Sequence, residues 1–370
     1  MKRPKIVAEY SVPYLRGVIE ELGEVTYLPS SDFTRETIRD ADWLIVRSIT
    51  KCTRQLLEDS RVRLVTTATI GFDHIDTTYC ESAGITWRNA PGCNAEAVGQ
   101  YFAGAISRLV VEKGFEPKGK VLGIVGVGHV GKVVKRYAEA FGMKCLLNDP
   151  PRAAAEGEEG FVSLGEIARR SDIITLHTPL TKEGEHPTFH LFDKTLVDRL
   201  ERKPVVINAC RGPVSDTVSL LEGLDKGKID EIIIDCWEGE PDISNRLLER
   251  AFIATPHIAG FSADGKANGA RMCVEEGLKF FGIDRHDLLS QMTPPPPSPA
   301  EVDMSCYEDQ RLYRALLATF DPRKADATFR KEYTEFERLR REYDYPREPH
   351  AYHFLNADEG QKKQLQLLLP

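Results

Sequence analysis

Short apolar runs alternate with amphipathic stretches over most of the chain. PKIVAEY (4–10), EVTYLP (24–29), DWLIVRS (42–48), VRLVTTATI (62–70) and GITWRNA (84–90) read as strands. VPYLRGVIEELG (12–23) and RETIRDA (35–41) carry apolar residues at helical spacing between them. That alternation predicts a parallel sheet with helical crossovers. AEAVGQYFAGAISRLVVEKG (95–114) then predicts a long helix, followed by strands at KVLGIVG (120–126), KCLLND (144–149), DIITLHT (172–178), PVVINAC (204–210), EIIIDCW (231–237) and FIATPH (252–257). Residues 263–281 are helical again and could cross back to the first domain.

The composition shifts at TPPPPSP (293–299), a run that suits only an extended linker. Beyond it DQRLYRALLATF (309–320) predicts a helix, and Phe329, Tyr333, Phe336, Leu339 and Tyr343 form a stripe at helical spacing. Such a stripe is more often core or a partner interface than a ligand site. The expected organisation is a domain over 1–95 that regains a returning helix at 262–288, a second over 96–261, and a small C-terminal domain over 289–370.

Gly126, Gly128 and Gly131, with His129 and Val130 between them, form a G-x-G-x-x-G turn after a strand and before the helical stretch 130–142. The first glycine permits the turn, the second lets backbone approach a pyrophosphate, and the third lets helix pack on strand. Asp149 closes the next strand, where a carboxylate accepts hydrogen bonds from a ribose 2′-hydroxyl and repels a 2′-phosphate, so NAD is expected over NADP. Arg152 reads as a solvated loop arginine after Pro150-Pro151.

The chain has 370 residues, room for two or three domains, and ordinary apolar and charged fractions. A net charge of −8 argues against a nucleic-acid binder. No apolar run approaches membrane-spanning length and no leader is evident, so a cytoplasmic protein without membrane contact is expected. The eight cysteines are scattered without metal-ligand spacing, so no metal is expected, and most read as small buried residues.

Three strand ends carry the residue types that hydride transfer requires. Arg211, in INACRGPVSD (207–216), could grip a carboxylate through two hydrogen bonds. IIIDCWEGEP (232–241) brings Asp235, Glu238 and Glu240. TPHIAG (255–260) holds His257 in a turn, where an imidazole could take a hydroxyl proton with Glu240 as its partner. Singly these are weak, since a turn histidine is usually a packing residue and a strand-end arginine usually in an ion pair. The other histidines read as structural, with His177 packing near the cofactor.

The order Arg, Glu-Pro, Pro-His resembles the D-isomer-specific 2-hydroxyacid dehydrogenases, through DIITLHTPLT (172–181), INACRG (207–212), DCWEGEP (235–241) and TPHIAG (255–260). The resemblance covers roughly residues 40–282. It implies a flavodoxin-like substrate domain and a Rossmann NAD domain, both doubly wound α/β folds, with Arg211, Glu240 and His257 catalytic. It places Asp149, Thr178, Ala209, Cys210, Arg211, Asp235 and Gly260 around NAD.

VRSITK (46–51), TATIGFDHID (67–76), APGCNAEAV (90–98), FDPRKADATFRK (320–331) and EFERLRREY (335–343) resemble a narrower group of that family, with an α+β C-terminal domain that makes a homodimer. By that likeness Ser48 and Thr69 contact a small phosphorylated hydroxyacid. Arg47 is a candidate for its phosphate on charge grounds, against the alternative of a surface ion pair. Phe261 stands where the group often has tyrosine, which removes one hydroxyl contact. A dehydrogenase for a shorter phosphorylated hydroxyacid and an NAD-sensing co-regulator on the same fold remain open as alternatives.

Overall fold

The computed structural model describes residues 3–369, in two compact units: residues up to 94 with 262–296, and 95–261 with 297 onward. In the first, β1 (Lys5–Glu9), β2 (Glu24–Leu28), β3 (Trp43–Val46), β4 (Leu64–Thr67) and β5 (Thr86–Arg88) form one parallel sheet ordered β2-β1-β3-β4-β5. Central strands covered on both faces need continuous apolar sequence, and WLIV of β3 is buried throughout. This is the flavodoxin-like order, with its reversal between β1 and β3. The helix Ala263–Phe281 lies so close to the sheet that a Cβ on Gly277 would meet the Trp43 ring at 2.1 Å.

One expected helix is absent. VPYLRGVIEELG forms bends and a single 3-10 turn, Ile19–Glu21. Gly17 at φ +83° and Tyr14 at φ +62° take left-handed conformations that no α-helix continues through. Val12, Leu15, Val18, Ile19 and Leu22 are buried all the same, so the spacing marks the covered face although the backbone is irregular.

In the second unit, β6 (Val121–Val125), β7 (Lys144–Asn148), β8 (Ile173–Leu176), β9 (Val205–Asn208), β10 (Glu231–Ile234) and β11 (Ile253–Ala254) are parallel in the order β11-β10-β9-β8-β6-β7. A further position outside β7 is reduced to one parallel bridge, Leu147 with Phe161. The order reverses between β6 and β8, so the crevice that doubly wound sheets use for ligands opens at the fingerprint.

Residues 297–370 pack into this same unit. Helix Arg311–Thr319 buries Leu312, Ala315 and Leu316 in one cluster with Tyr101, Phe102 and Ile106 of helix Ala95–Lys113. Gly104 permits the approach, because a Cβ there would meet Phe320 and Pro322 at 2.9 Å. The aromatic stripe is split between helices Pro322–Lys331 and Phe336–Arg341, and Phe329 and Phe336 are core residues rather than a free face. β12 (Glu301–Asp303) and β13 (His353–Leu355) pair in parallel, which gives this segment its α+β character. The eight cysteines, all among the described residues, form no disulfide, and six are buried.

Strand β11 is the sheet edge, and its outer side is satisfied by side chains. Asp326 Oδ1 accepts the Ala254 amide at 2.9 Å. Arg330 donates to the carbonyls of Leu248 and Ala251, Arg323 to that of Phe252, and both arginines pair with Asp326. Removing Asp326 strands a buried amide and takes one carboxylate partner from each of the two arginines. Asp326→Ala is therefore expected to lower stability by about 2–4 kcal/mol. Urea unfolding measures this, and an unchanged midpoint would contradict the edge-capping role.

Candidate active site

The fingerprint glycines hold the positions that the turn requires. Gly126 has φ +88°, and a Cβ on it would strike the His177 backbone at 2.7 Å. A Cβ on Gly131 would lie 2.2 Å from the Gly126 carbonyl, whereas one on Gly128 would meet nothing within 4 Å. No side chain caps helix His129–Ala140, so its first-turn amides face that open space. A dinucleotide pyrophosphate fits there, held by backbone amides and the positive end of the helix.

Asp149 closes the loop. Its Oδ2 accepts the Val127 amide at 2.8 Å and its Oδ1 the Arg152 amide at 3.2 Å. Arg152 is not a solvated loop residue: it lies in helix Pro150–Glu156, which Asp149 caps and which begins with prolines. Its guanidinium pairs with Glu156 and donates to the Val127 carbonyl at 2.5 Å. Its guanidinium is thereby committed to these partners and not to a 2′-phosphate.

Thr178 follows β8, and Ala209, Cys210 and Arg211 follow β9. Buried Asn208 shapes that second loop, donating to the Arg211 carbonyl and the Ser215 hydroxyl and accepting from the Cys210 amide. Arg211 is exposed, donates to the Cys210 carbonyl at 2.7 Å, and has no carboxylate partner among the described residues. A Cβ on Gly212 would lie 1.9 Å from the Trp237 carbonyl, so glycine alone lets this loop press on the WEGEP loop after β10.

The WEGEP loop delivers Glu240. Its Oε1 accepts the Trp237 amide at 2.6 Å, and its Oε2 lies 2.8 Å from His257 Nδ1. An ionised Glu240 accepts from Nδ1–H, which leaves Nε2 with a free lone pair. His257 and Glu240 side chains are 26% and 22% exposed, covered enough to be held yet open enough to meet a ligand. His257 adopts φ +55°, uncommon for a side-chain-bearing residue, so its surroundings must enforce the turn.

Asp235 supplies much of that enforcement. Its carboxylate is buried and accepts the Ile258 amide (2.7 Å), the Ala259 amide (2.9 Å) and the Thr255 hydroxyl (2.7 Å). Burial pushes this carboxyl up from its usual range, and the donors oppose that shift. Its carboxylate thus points into the TPHIAG turn, with Gly260 next along the chain. His177 follows β8, half-buried, with Nε2 2.9 Å from Thr175 Oγ1, and desolvation pushes it down to about 3, so it stays neutral.

In the first unit Arg47 and Ser48 follow β3 at the order reversal. Arg47 donates to the Ser11 carbonyl at 3.3 Å and forms no ion pair among the described residues. Ser48 is exposed. The loop is held by Glu9, buried at the end of β1, whose Oε2 accepts the Arg47 amide (2.8 Å) and the Thr50 hydroxyl (2.7 Å). Thr69 follows β4, with its hydroxyl 2.7 Å from that of Thr67 and donating to the Gly71 carbonyl. Phe261, in the second unit, packs edge-on to Tyr345.

Several contributors were missed. Glu9 ends a buried strand as Asp149 does, a signal that could have found it. His190, read as structural without a setting like that of His257, has one: its Nε2 is 2.5 Å from Glu238 Oε1. The two residues are 48 positions apart, and nothing in sequence spacing brings them together.

Comparison with known proteins follows the geometry. The family model of the D-isomer specific 2-hydroxyacid dehydrogenase NAD binding domain matches residues 95–259. The chain is 52% identical to erythronate-4-phosphate dehydrogenase of Porphyromonas gingivalis over 97% of both chains. It is 45% identical to that of Bacteroides thetaiotaomicron, over 95% of this chain and 99% of that one. Among solved structures, NAD-bound 3-phosphoglycerate dehydrogenase of Entamoeba histolytica matches at 27% identity and TM-score 0.62, covering 77% of this chain and 97% of its own. The cofactor is NAD. The chain belongs to the D-isomer specific 2-hydroxyacid dehydrogenases.

Proposed function

We propose that this enzyme oxidises C2 of 4-phospho-D-erythronate to 2-oxo-3-hydroxy-4-phosphobutanoate in the synthesis of vitamin B6. The observation that carries the reading is the His257–Glu240 pair at 2.8 Å, one sheet with the fingerprint loop, in a chain 45–52% identical to erythronate-4-phosphate dehydrogenases. The 3-phosphoglycerate enzyme shares only 27%. An intact acid–base pair favours a catalyst over an NAD-sensing co-regulator.

His257 Nε2 takes the C2 hydroxyl proton. Glu240 accepts the Nδ1 hydrogen bond, holds the ring, and favours the imidazolium that forms. Arg211, with no carboxylate of its own among the described residues, grips the substrate carboxylate and polarises the adjacent oxygen. The glycine loop and Asp149 would hold NAD, which would supply the hydride acceptor for C2. Thr178, Ala209, Cys210, Asp235 and Gly260 line its position, Asp235 by shaping the turn. On the first unit, Arg47 takes the phosphate and Ser48 and Thr69 make polar contacts; the exposure of Ser48, the half-burial of Arg47 and Thr69 and their strand-end placement support this. Phe261 gives an apolar contact where a hydroxyl is lacking.

The enzyme is also proposed to be cytoplasmic and to work as a homodimer through residues 297–370. Among the described residues no helix is long and apolar enough to cross a membrane. Leu355 on β13 and Leu367 on helix Glu359–Leu368 are exposed apolar side chains that a partner would cover.

NADH formation is followed with NAD, a carbonyl trap, and either 4-phosphoerythronate or 3-phosphoglycerate. Strong preference for the four-carbon acid is expected; preference for the three-carbon acid would move the enzyme to that substrate. His257→Ala should lower turnover by roughly two to four orders of magnitude while NAD still binds. Unchanged turnover would remove His257 as the base. Leu355→Glu with Leu367→Glu should turn a dimer into a monomer by light scattering, and an unchanged dimer mass would place the interface elsewhere.

A further inference from the structure

We propose that Arg340, from the C-terminal segment, is a positioning residue for the catalytic base; the proposal rests on His257 being that base. Arg340 lies in helix Phe336–Arg341 and donates from Nε to the His257 carbonyl at 3.3 Å. Its guanidinium stands over the rings of Phe261 at 5.8 Å and Phe336 at 5.9 Å. The nearest carboxylate, Glu337, is 3.8 Å away and mostly exposed, so a surface ion pair is not what fixes it.

The contact matters because of the His257 backbone. At φ +55° the residue sits in a region that costs about 1–2 kcal/mol for a side-chain-bearing residue. The peptide plane joining His257 to Ile258 is held on both sides. Its amide goes to Asp235 at 2.7 Å, and its carbonyl takes the Arg340 hydrogen bond. Fixing that plane fixes the direction of the His257 Cβ, and hence the meeting of Nδ1 with Glu240. Without Arg340 that carbonyl loses a directional side-chain partner.

The same segment reaches the other half of the pair. Phe336 packs on Phe329, and Phe329 packs edge-on against Trp237, whose amide holds Glu240 Oε1. These rings are buried and shape the loop by packing. Arg340 differs, because it contributes a directional bond that can be removed while its apolar stem is kept.

Arg340→Met tests this, retaining the stem over both rings and deleting the donor. Turnover should fall about ten- to a hundredfold, with melting temperature and KM for NAD unchanged. Arg340→Lys, whose ammonium can reach the carbonyl, should recover most of the loss. Unchanged turnover in Arg340→Met would overturn the proposal. So would a loss that tracks a lowered melting temperature and that lysine fails to rescue. A wild-type enzyme inactive on both phosphorylated acids would remove the function reading instead. Arg340 is then judged on the histidine-selectively labelled protein: the His257 ring resonance should shift or double in Arg340→Met, and an unmoved single resonance would overturn the proposal without any turnover measurement.

Discussion

Asp235 follows β10 with its carboxylate out of water, and the turn that carries His257 is built on it. A buried carboxylate is tolerated only if donors surround it. Here they are the Thr255 hydroxyl and the amides of Ile258 and Ala259, all from the segment that carries His257. The Asp235 carbonyl also accepts the His257 amide at 2.8 Å. The chain has to double back tightly to bring these donors together, and His257 takes up the unusual conformation that results. Its imidazole is then presented to Glu240 at the end of the neighbouring strand. The reactive pair follows from the satisfaction of one charge.

The C-terminal segment extends this logic. β11, which leads into the turn, is short and lies at the sheet edge, where an unpaired strand frays or recruits another chain. Asp326, Arg323 and Arg330 close that edge with side-chain hydrogen bonds. Phe329 and Phe336 add apolar cover beneath Trp237. Residues that sequence reading set aside as an appendage are thus part of the scaffold for the acid–base pair. Deleting them would expose core before it reported on assembly.

Much of the fold was legible because its strands are buried on both faces. Runs such as WLIV and EIII have no polar alternation to blur them, and each became a strand within three residues of its expected bounds. The fingerprint was legible because each glycine answers a separate steric demand. Residues 12–23 misled: burial there is spaced as in a helix, while Gly17 and Tyr14 take left-handed conformations that local spacing does not register. The Arg211, Glu240 and His257 segments stand out as strand ends. What holds them does not, because Glu9, Asp326 and Arg340 act on backbone groups tens of residues away. His190 differs from its expectation for the same reason, its partner Glu238 lying 48 positions away, whereas Arg152 pairs locally with Glu156 one helical turn on.

The central claim is that this strand-end site takes hydride from C2 of a four-carbon phosphorylated acid while His257 takes the hydroxyl proton. The most direct measurement uses 4-phosphoerythronate deuterated at C2, with NAD and a carbonyl trap, and reads the label in the nicotinamide product by mass spectrometry. The account predicts one deuterium per reduced nicotinamide in the wild type. Reduced nicotinamide free of label, or label released to water, would contradict it.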